Sequence, residues 1–463
     1  MEQVDQFLSE LRNWVWGAPL LLLLLGTGAY LTFLLKGVQF RYLGYAFKQV
    51  VARQRQGSRG DISHFEALMT SLAGAIGTGT IVGVATAITV GGLGAIFWMW
   101  VTAFLSMATK YAESLLAVKY REQDKRGEMA GGPMQYIEKG LGWKWMAWVF
   151  ASLGMIAALS TGNLVQTNSI AEAINHVWQV DPWITGLVLC VLTMVVVIGG
   201  VKSIGHVASV LVPGMALLYI GAAIFILIVN IDLIPEAFLL IIHSAWNGQA
   251  ATGGFLGSTM VMALQMGVAR SVFSNEAGLG ISSVAAAAAR TDSPGRQALI
   301  TMTGALISTV IVCTMTGLVL AVTGVMGTMS ASGQVLNGAS LAIAAFNSHI
   351  TGGEYIVTIG LILFAYTTVL AWSYYGEKCC EYLFGERSII AYRFLFALVV
   401  IPGAALKMEI AWHLADISNG LMVIPNLIAL VGLSGVIVKE TKDFLLTVNK
   451  EEEENLKLSE AEK

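Results

Sequence analysis

Residues 71–83 read SLAGAIGTGTIVG, and Gly74, Gly77, Gly79 and Gly83 crowd the middle of a segment otherwise apolar enough to cross a membrane. Glycine weakens a helix at the depth where lipid demands a continuous one. Such a break persists in hydrocarbon only where the freed amides and carbonyls face a ligand, an ion or a watery cavity. The stretch therefore predicts a transport site at membrane depth; a satisfied packing kink is the plainer alternative.

Hydrophobic residues make up 56% of the 463 and charged residues 12%, with a mean hydropathy of +0.70, whereas soluble chains carry about 25% charged residues. An all-α polytopic membrane protein with one membrane domain is expected. Eleven apolar stretches of spanning length lie near residues 15–36, 67–91, 93–118, 146–172, 183–201, 206–230, 258–289, 298–324, 354–377, 389–408 and 411–438. No small-residue cleavage site follows the first, which predicts a retained helix rather than a signal peptide.

Lys36, Arg41, Lys48, Arg53, Arg55 and Arg59 follow the first stretch, and Lys119, Arg121, Lys125, Arg126, Lys139 and Lys144 follow the third. Positive residues mark cytoplasmic loops, and the same parity puts Lys202, Arg290, Arg296, Lys378, Arg387 and Arg393 inside. The connections 231–257 and 325–353 contain no Lys or Arg. The N-terminus is thus expected outside and the C-terminus in the cytoplasm. Cys190, Cys313, Cys379 and Cys380 lack metal-ligand spacing and predict no structural disulfide or zinc site. The charged tail from Lys439, with Glu451–Glu454, reads as a disordered cytoplasmic end.

Apart from the first helix, ten spans remain, and glycine-rich interruptions fall in the first of them (71–83) and the sixth (270–280, RSVFSNEAGLG). Interruptions at corresponding places in two halves are the signature of an inverted repeat of five plus five helices, whose pseudo-twofold axis serves alternating access. The expected organisation is an accessory helix and cytoplasmic loop (1–65), a first repeat (66–230), an extracellular connection (231–257), a second repeat (258–438) and a cytoplasmic tail (439–463). Gly91, Gly92 and Gly94 precede Phe97, Trp98 and Trp100 in the second core span, a pattern of close packing plus an interfacial aromatic belt. Lys110 and Glu113 stand three apart on that helix and can pair, as a structural ion pair or a hinge.

Five motifs, SLAGAIGTGTIVG (71–83), GGLGAIFWMW (91–100), GNLVQTNSIA (162–171), SVFSNEAGLG (271–280) and AWSYYGEKCCEYLFG (371–385), together resemble the alanine/glycine:cation symporter family, from the first helix to about residue 438. The resemblance implies the leucine-transporter fold of the amino acid–polyamine–organocation superfamily and a prokaryotic inner membrane location. Three positions depart from the family pattern: Thr80 stands where Asn is usual, Ser106 and Ala371 where Gly is usual. Thr80 bears on ion coordination or substrate preference; the other two bear on packing.

A zwitterionic amino acid needs partners for its carboxylate and ammonium and a cavity sized to its side chain. Free amides at Gly77, Thr78 and Gly79, at the positive end of a half-helix, suit the carboxylate. Asn163, Gln166, Thr167 and Asn168 need partners in hydrocarbon, which interhelical bonds or a ligand would supply. Gln166 is the ligand candidate among them, and the resemblance points to the same motif. In the sixth core span, Phe273 reads as a lid or wall over the substrate and Asn275 as a hydrogen-bonding site residue. Arg270 and Glu276 read as scaffold or gate, with Glu276 as a proton carrier the alternative.

The resemblance implies a sodium ion between the first and eighth core helices, held by carbonyls near Ala73 and Ile76 with one or both of the Thr367 and Thr368 hydroxyls. Trp372 would narrow the pocket in favour of alanine and glycine. The six histidines fall near span ends or in connections, and there is neither an HExxH pattern nor a nucleophile elbow, which argues against an intramembrane enzyme. The expectation is a sodium-coupled importer of alanine and glycine that needs the lipid bilayer but no cofactor and no nucleic acid. Proton coupling and a membrane amino acid sensor are the rivals.

Overall fold

The computed structural model describes residues 2–52, 57–247, 259–329, 333 and 335–461. Helix dominates, and the one sheet among the described residues is the short pairing of Glu122–Gln123 with Met129–Ala130. The principal helices are α1 (Glu2–Val15), α2 (Ala18–Leu34), α3 (His64–Ala75), α4 (Gly79–Gly91), α5 (Gly94–Lys119), α6 (Lys144–Trp178), α7 (Pro182–Val197), α8 (Gly200–Val229) and α9 (Ile234–Asn247). They continue as α10 (Met260–Asn275), α11 (Ser283–Ala288), α12 (Pro294–Thr323), α13 (Gly338–Asn347), α14 (Gly353–Phe384), α15 (Ser388–Ala405), α16 (Met408–Gly432) and α17 (Ser434–Ala461).

Among the described residues, seven helices are long and apolar enough to cross a membrane, and up to eight if α3 and α4, bent by 50° at their break, count as one span. Three expected stretches fall outside that number. Helix α5 carries Lys110 and Glu113 in its middle, both wholly buried. Helix α7 has 16 residues. The stretch 258–289 is divided into α10 and α11, and its first residue lies outside the described residues.

Helices α3, α5, α10 and α14 form the interior: α5 packs against α10 and α12, and α14 packs against α3, α6 and α8. Lys110, Glu113 and Arg270 find partners within the bundle, whereas the Ser71, Ser114 and Thr358 hydroxyls meet none among the described residues. On the outside, Leu187, Val191 and Val195 of α7, Leu217 and Ile228 of α8, and Ile390, Leu395 and Leu398 of α15 present a bare apolar face. That face suits lipid and not water.

Two connections differ from a plain loop reading. The connection 231–257 contains α9, which lies along α5, with residues 248–257 outside the described set. The tail expected to be disordered is instead helical as α17, and it docks: Ile437 and Val448 are fully buried, Phe444 nearly so. Arg296 anchors it, donating to Glu451 at 2.9 Å while Asp292 accepts from the same guanidinium. The apolar positions 437, 444 and 448 recur at helical spacing, but the surrounding charge run conceals them in a compositional reading.

The loop cations gather at one end of the bundle. Arg121 donates to the Ala287, Ala289 and Arg59 carbonyls, and Arg290 to the Gly60 and Asp61 carbonyls. Asp61, in the same seal, accepts from the Met129 amide; burial pushes its carboxyl up, and that hydrogen bond offsets part of the rise.

Candidate functional site

Helix α3 starts on a reciprocal capping box between Ser63 and Glu66 and stops where Ile76 leaves helical geometry (φ −88°, ψ 77°). Chain direction resumes through a π-helical turn at Gly79–Gly83. The amides at a new helix start have no acceptor within their own helix. Thr78 N–H donates to Gln166 Oε1 at 3.2 Å. The Gly77 and Gly79 amides meet no acceptor among the described residues, and the Thr78 hydroxyl is buried without a partner. The break thus presents polar backbone to a closed interior.

Gln166 reaches the break because α6 has a π-helical turn of its own at Ser160–Leu164. Its Nε2 donates to the Thr161 carbonyl in that turn at 3.0 Å, which fixes the amide and leaves Oε1 aimed at Thr78. Thr161 and Ser160 are tied in turn to Asn419 and Ser418 of α16, at 3.0 and 2.8 Å. Trp372 of α14 packs flat on the same turn, so close to Gly162 that a Cβ there would collide with it.

Thr368 of α14 lies against Gly77, which leaves no room for a Cβ at that position. Its hydroxyl is 2.8 Å from the Ala73 carbonyl and 2.9 Å from the Phe364 carbonyl, so its single proton serves one of two acceptors. Ala73 O, the Thr368 hydroxyl and the unwound Ile76 are therefore neighbours at the end of α3. Thr367, expected as a second hydroxyl, turns elsewhere: it donates to Phe364 O at 3.0 Å and touches the Met215 sulfur. Turned about 100° from Thr368 around α14 and toward Met215 of α8, it stands outside the group.

The second break follows Asn275, where Glu276 (φ +58°), Gly278 (φ +90°) and Gly280 (φ +78°) take left-handed conformations. Lys110 and Glu113, expected to pair with each other, brace this break instead. Lys110 Nζ donates to the Asn275 carbonyl at 2.7 Å. Glu113 Oε1 accepts from the Gly278 amide at 2.8 Å and from Asn426 Nδ2 at 2.7 Å. Asn275 is a scaffold residue here, its side chain bonded to Ser271 and to the Ala277 amide rather than turned to the first break. Glu276 is wholly buried beside Gly74, where the Lys110 ammonium and the Trp372 indole act on its carboxylate.

Above the first break, Phe273 lies over Gly79, where a Cβ would come within 2.6 Å of its ring. Trp412 stacks on Phe273 at 4.9 Å between centroids, and the Arg270 guanidinium sits 4.6 Å over Trp412. Arg270 and Asp416 form a bidentate pair at 3.2 and 2.8 Å, both nearly buried. Beyond them a cavity of about 550 Å³ opens, lined among others by Arg270, Trp412, Glu172, Glu409 and His413. Arg270 and Trp412 both border this cavity, and Phe273 lies between Trp412 and the break at Gly79.

Gly77, Thr78, Gly79, Gln166, Phe273 and Trp372 are thus brought together, with Ala73, Ile76 and Thr368 adjoining. Sequence reasoning missed Thr161, Asn419, Trp412 and Asp416. The run Asp416-Ile417-Ser418-Asn419 in an apolar span is a signal of the kind that singled out Asn163–Asn168.

Comparison with known proteins finds relatives over nearly the whole chain. The chain is 53% identical over 441 residues to the sodium/alanine symporter AgcS of Methanococcus maripaludis, covering 94% of this chain and 96% of that one. It is 36% identical over 454 residues to a putative sodium/proton-dependent alanine carrier protein, YrbD, of Bacillus subtilis, covering 95% and 92%. In fold it is similar to MhsT in complex with L-phenylalanine, with a TM-score of 0.58 at 14% identity over 83% of this chain and 93% of that one. The expected leucine-transporter likeness is therefore present, and the relatives are transporters rather than enzymes. The sodium:alanine symporter family matches residues 1–458, and the chain belongs to that family of membrane-embedded amino acid symporters.

Proposed function

We propose that this chain imports small neutral amino acids, chiefly alanine and glycine, coupled to sodium and driven by alternating access. The observation that carries the reading is the junction of Gln166 and Thr368 on the first break, where unpartnered amides adjoin a carbonyl and a hydroxyl. The substrate carboxylate is assigned to the Gly77, Thr78 and Gly79 amides, and the ammonium to Gln166 Oε1, displaced from Thr78. Phe273 and Trp372 bound the side chain, and sodium is assigned to Ala73, Ile76 and Thr368. Sodium is the co-transported ion, and a transporter of this kind needs no cofactor.

In this reading the chain crosses the bilayer eleven times, α1–α2 supplying the accessory element and the rest two inverted sets of five. The positive loop residues gather at one end, which favours a cytoplasmic C-terminus and an outside N-terminus in a prokaryotic inner membrane. The 550 Å³ cavity then faces outside, and Arg270–Asp416 is the outer gate. Sodium and substrate stabilise the same arrangement of the two breaks, which is the source of coupling. One inward charge at about 100 mV gives roughly 2.3 kcal/mol and a tenfold sodium gradient roughly 1.4 more, enough for several-hundredfold accumulation.

Glu276, a wholly buried carboxyl at the second break with Lys110 as its opposite charge, favours a second reading in which a proton is the coupling ion. Uptake into proteoliposomes, with sodium and pH gradients imposed separately, decides between them; uptake indifferent to sodium would remove the first. Competition by glycine, both alanine enantiomers, serine and leucine tests the substrate class.

A further inference from the structure

The turn between α1 and α2 sits between the two helices that carry the Arg270–Asp416 pair. Trp16, 4% exposed, occupies that turn. Its indole N–H donates to the Asp416 carbonyl on α16 at 2.9 Å. Its own carbonyl accepts from Gln265 Nε2 on α10 at 3.1 Å. Gln265 stands on the same helix as Arg270, between one and two turns before it, so a single residue is bonded to both halves of the gate. Gly420, one turn beyond Asp416, admits the contact: a Cβ there would meet Val15 Cγ1 and stand 3.2 Å from the Trp16 indole nitrogen. Helix α1 packs along α16 and backs the turn.

We propose that Trp16 is a positioning residue of the outer gate, a staple by which the accessory helices hold α10 and α16 together and set how often the vestibule connects to the buried site. The inference rests on the reading of Arg270–Asp416 as a gate. Its physical content is a series linkage. To part α10 from α16, one of the two Trp16 bonds must break, and the other then travels with its own helix. Removing either bond in advance removes the hydrogen-bonded restraint, and removing both removes no more of it; the packing of α1 along α16 is present throughout. A neutral hydrogen bond contributes about 1 kcal/mol, which is about fivefold in the opening equilibrium. Two independent local loosenings would instead multiply to about 25-fold.

The test reads gate opening directly in the full chain, without a transport assay. Ala411 is fully buried in one cluster with Phe273 and Val165, so Ala411→Cys reports access from the vestibule. The four native cysteines are buried, and the parent without the added thiol supplies the background. In proteoliposomes treated with a membrane-impermeant methanethiosulfonate, Trp16→Phe and Gln265→Met are each expected to raise the labelling rate about fivefold. The double variant is expected to match the singles. Gln265→Met carries the test alone if Trp16→Phe does not fold, and thermal unfolding of each variant is expected to remain near that of the parent.

Asp416→Asn, which breaks the ion pair itself, is expected to raise labelling at least as much. Singles at the parent rate, or a double near 25-fold, overturn the staple while leaving the gate in place. No rise in Asp416→Asn overturns the gate and the staple with it, and leaves the sodium and substrate assignments to their own tests.

Discussion

Thr78 donates its amide to Gln166 Oε1 at 3.2 Å while Gln166 Nε2 donates to the Thr161 carbonyl at 3.0 Å, so one side chain ties the break of α3–α4 to the π-turn of α6. Both ends of the tie are irregular backbone, which hydrocarbon tolerates only when satisfied inside the protein. Under the proposed assignment a ligand carboxylate would compete with Gln166 for the Thr78 amide and free Oε1 for the ligand ammonium.

Gln166→Ala is therefore expected to weaken substrate binding. Hydrogen bonds to charged groups contribute about 1.5–3 kcal/mol, so the KM for alanine uptake rises about 10- to 100-fold. Gln166→Glu keeps the acceptor for Thr78 and loses the donor to Thr161, and falls between parent and alanine variant. Initial-rate uptake measures both; parent kinetics in Gln166→Ala would remove the residue from the site.

Thr368 and Thr367 separate the sodium assignment from general packing. Thr368→Val deletes the hydroxyl beside Ala73 O and is expected to raise the sodium concentration for half-maximal uptake about tenfold, the loss of one hard oxygen ligand. Thr368→Ser keeps that oxygen and stays near parent. Thr367→Val removes a back-bond to Phe364 and a contact with the Met215 sulfur, neither of them at Ala73, and is expected to leave sodium activation unchanged. Equal effects at the two threonines would dissolve the assignment.

These contrasts also mark what the sequence could convey. Both breaks were legible, because glycines clustered in otherwise apolar spans have few other uses there. Gln166 was legible as an amide in hydrocarbon. Thr367 and Thr368 could not be told apart, since neighbouring residues of a helix point about 100° apart and only the packing of α14 on α3 decides which one meets Ala73. The partner of Arg270 was hidden by distance along the chain, 146 residues away at Asp416. Lys110 and Glu113 suggested a local pair by spacing, yet the two polar ends of the second break outcompeted that pairing. Docking of α17 was hidden because three apolar residues at helical spacing are diluted by the charges between them.

Gly162 predicts a size effect. A Cβ at that position collides with Trp372, and overpacking costs about 1–3 kcal/mol where side chains cannot yield. The nearest atom is Trp372 Cβ rather than the tip of the indole, so Gly162→Ala pushes α14 away from α6 at Trp372, and the repositioned indole is expected to shrink the space for the substrate side chain. Alanine uptake is expected to fall several-fold more than glycine uptake, read as the ratio of the two kcat/KM values. Equal losses would show that Trp372 does not bound the substrate.

Asp124 predicts an acid limb in stability, from outside the membrane spans. Its Oδ1 accepts from the Arg126 and Glu128 amides at 2.9 and 2.8 Å, and Lys378 lies 3.5 Å from Oδ2. Burial pushes this carboxyl up, but the Glu128 amide and the Lys378 ammonium outweigh it and hold it below its ordinary value. A carboxyl lowered on folding stabilises fully above its unfolded value of about 3.9, and that stability is lost as pH falls through the lower folded value. Asp124→Asn keeps the shape but removes the charge, and is expected to cost about 1–3 kcal/mol near neutral pH. The deficit should shrink as pH drops below about 4, where the parent carboxyl begins to protonate. Thermal unfolding in detergent from pH 7 down to pH 3 measures it, and a deficit that does not change with pH would show that the charge of Asp124 plays no part in sealing that end of the bundle.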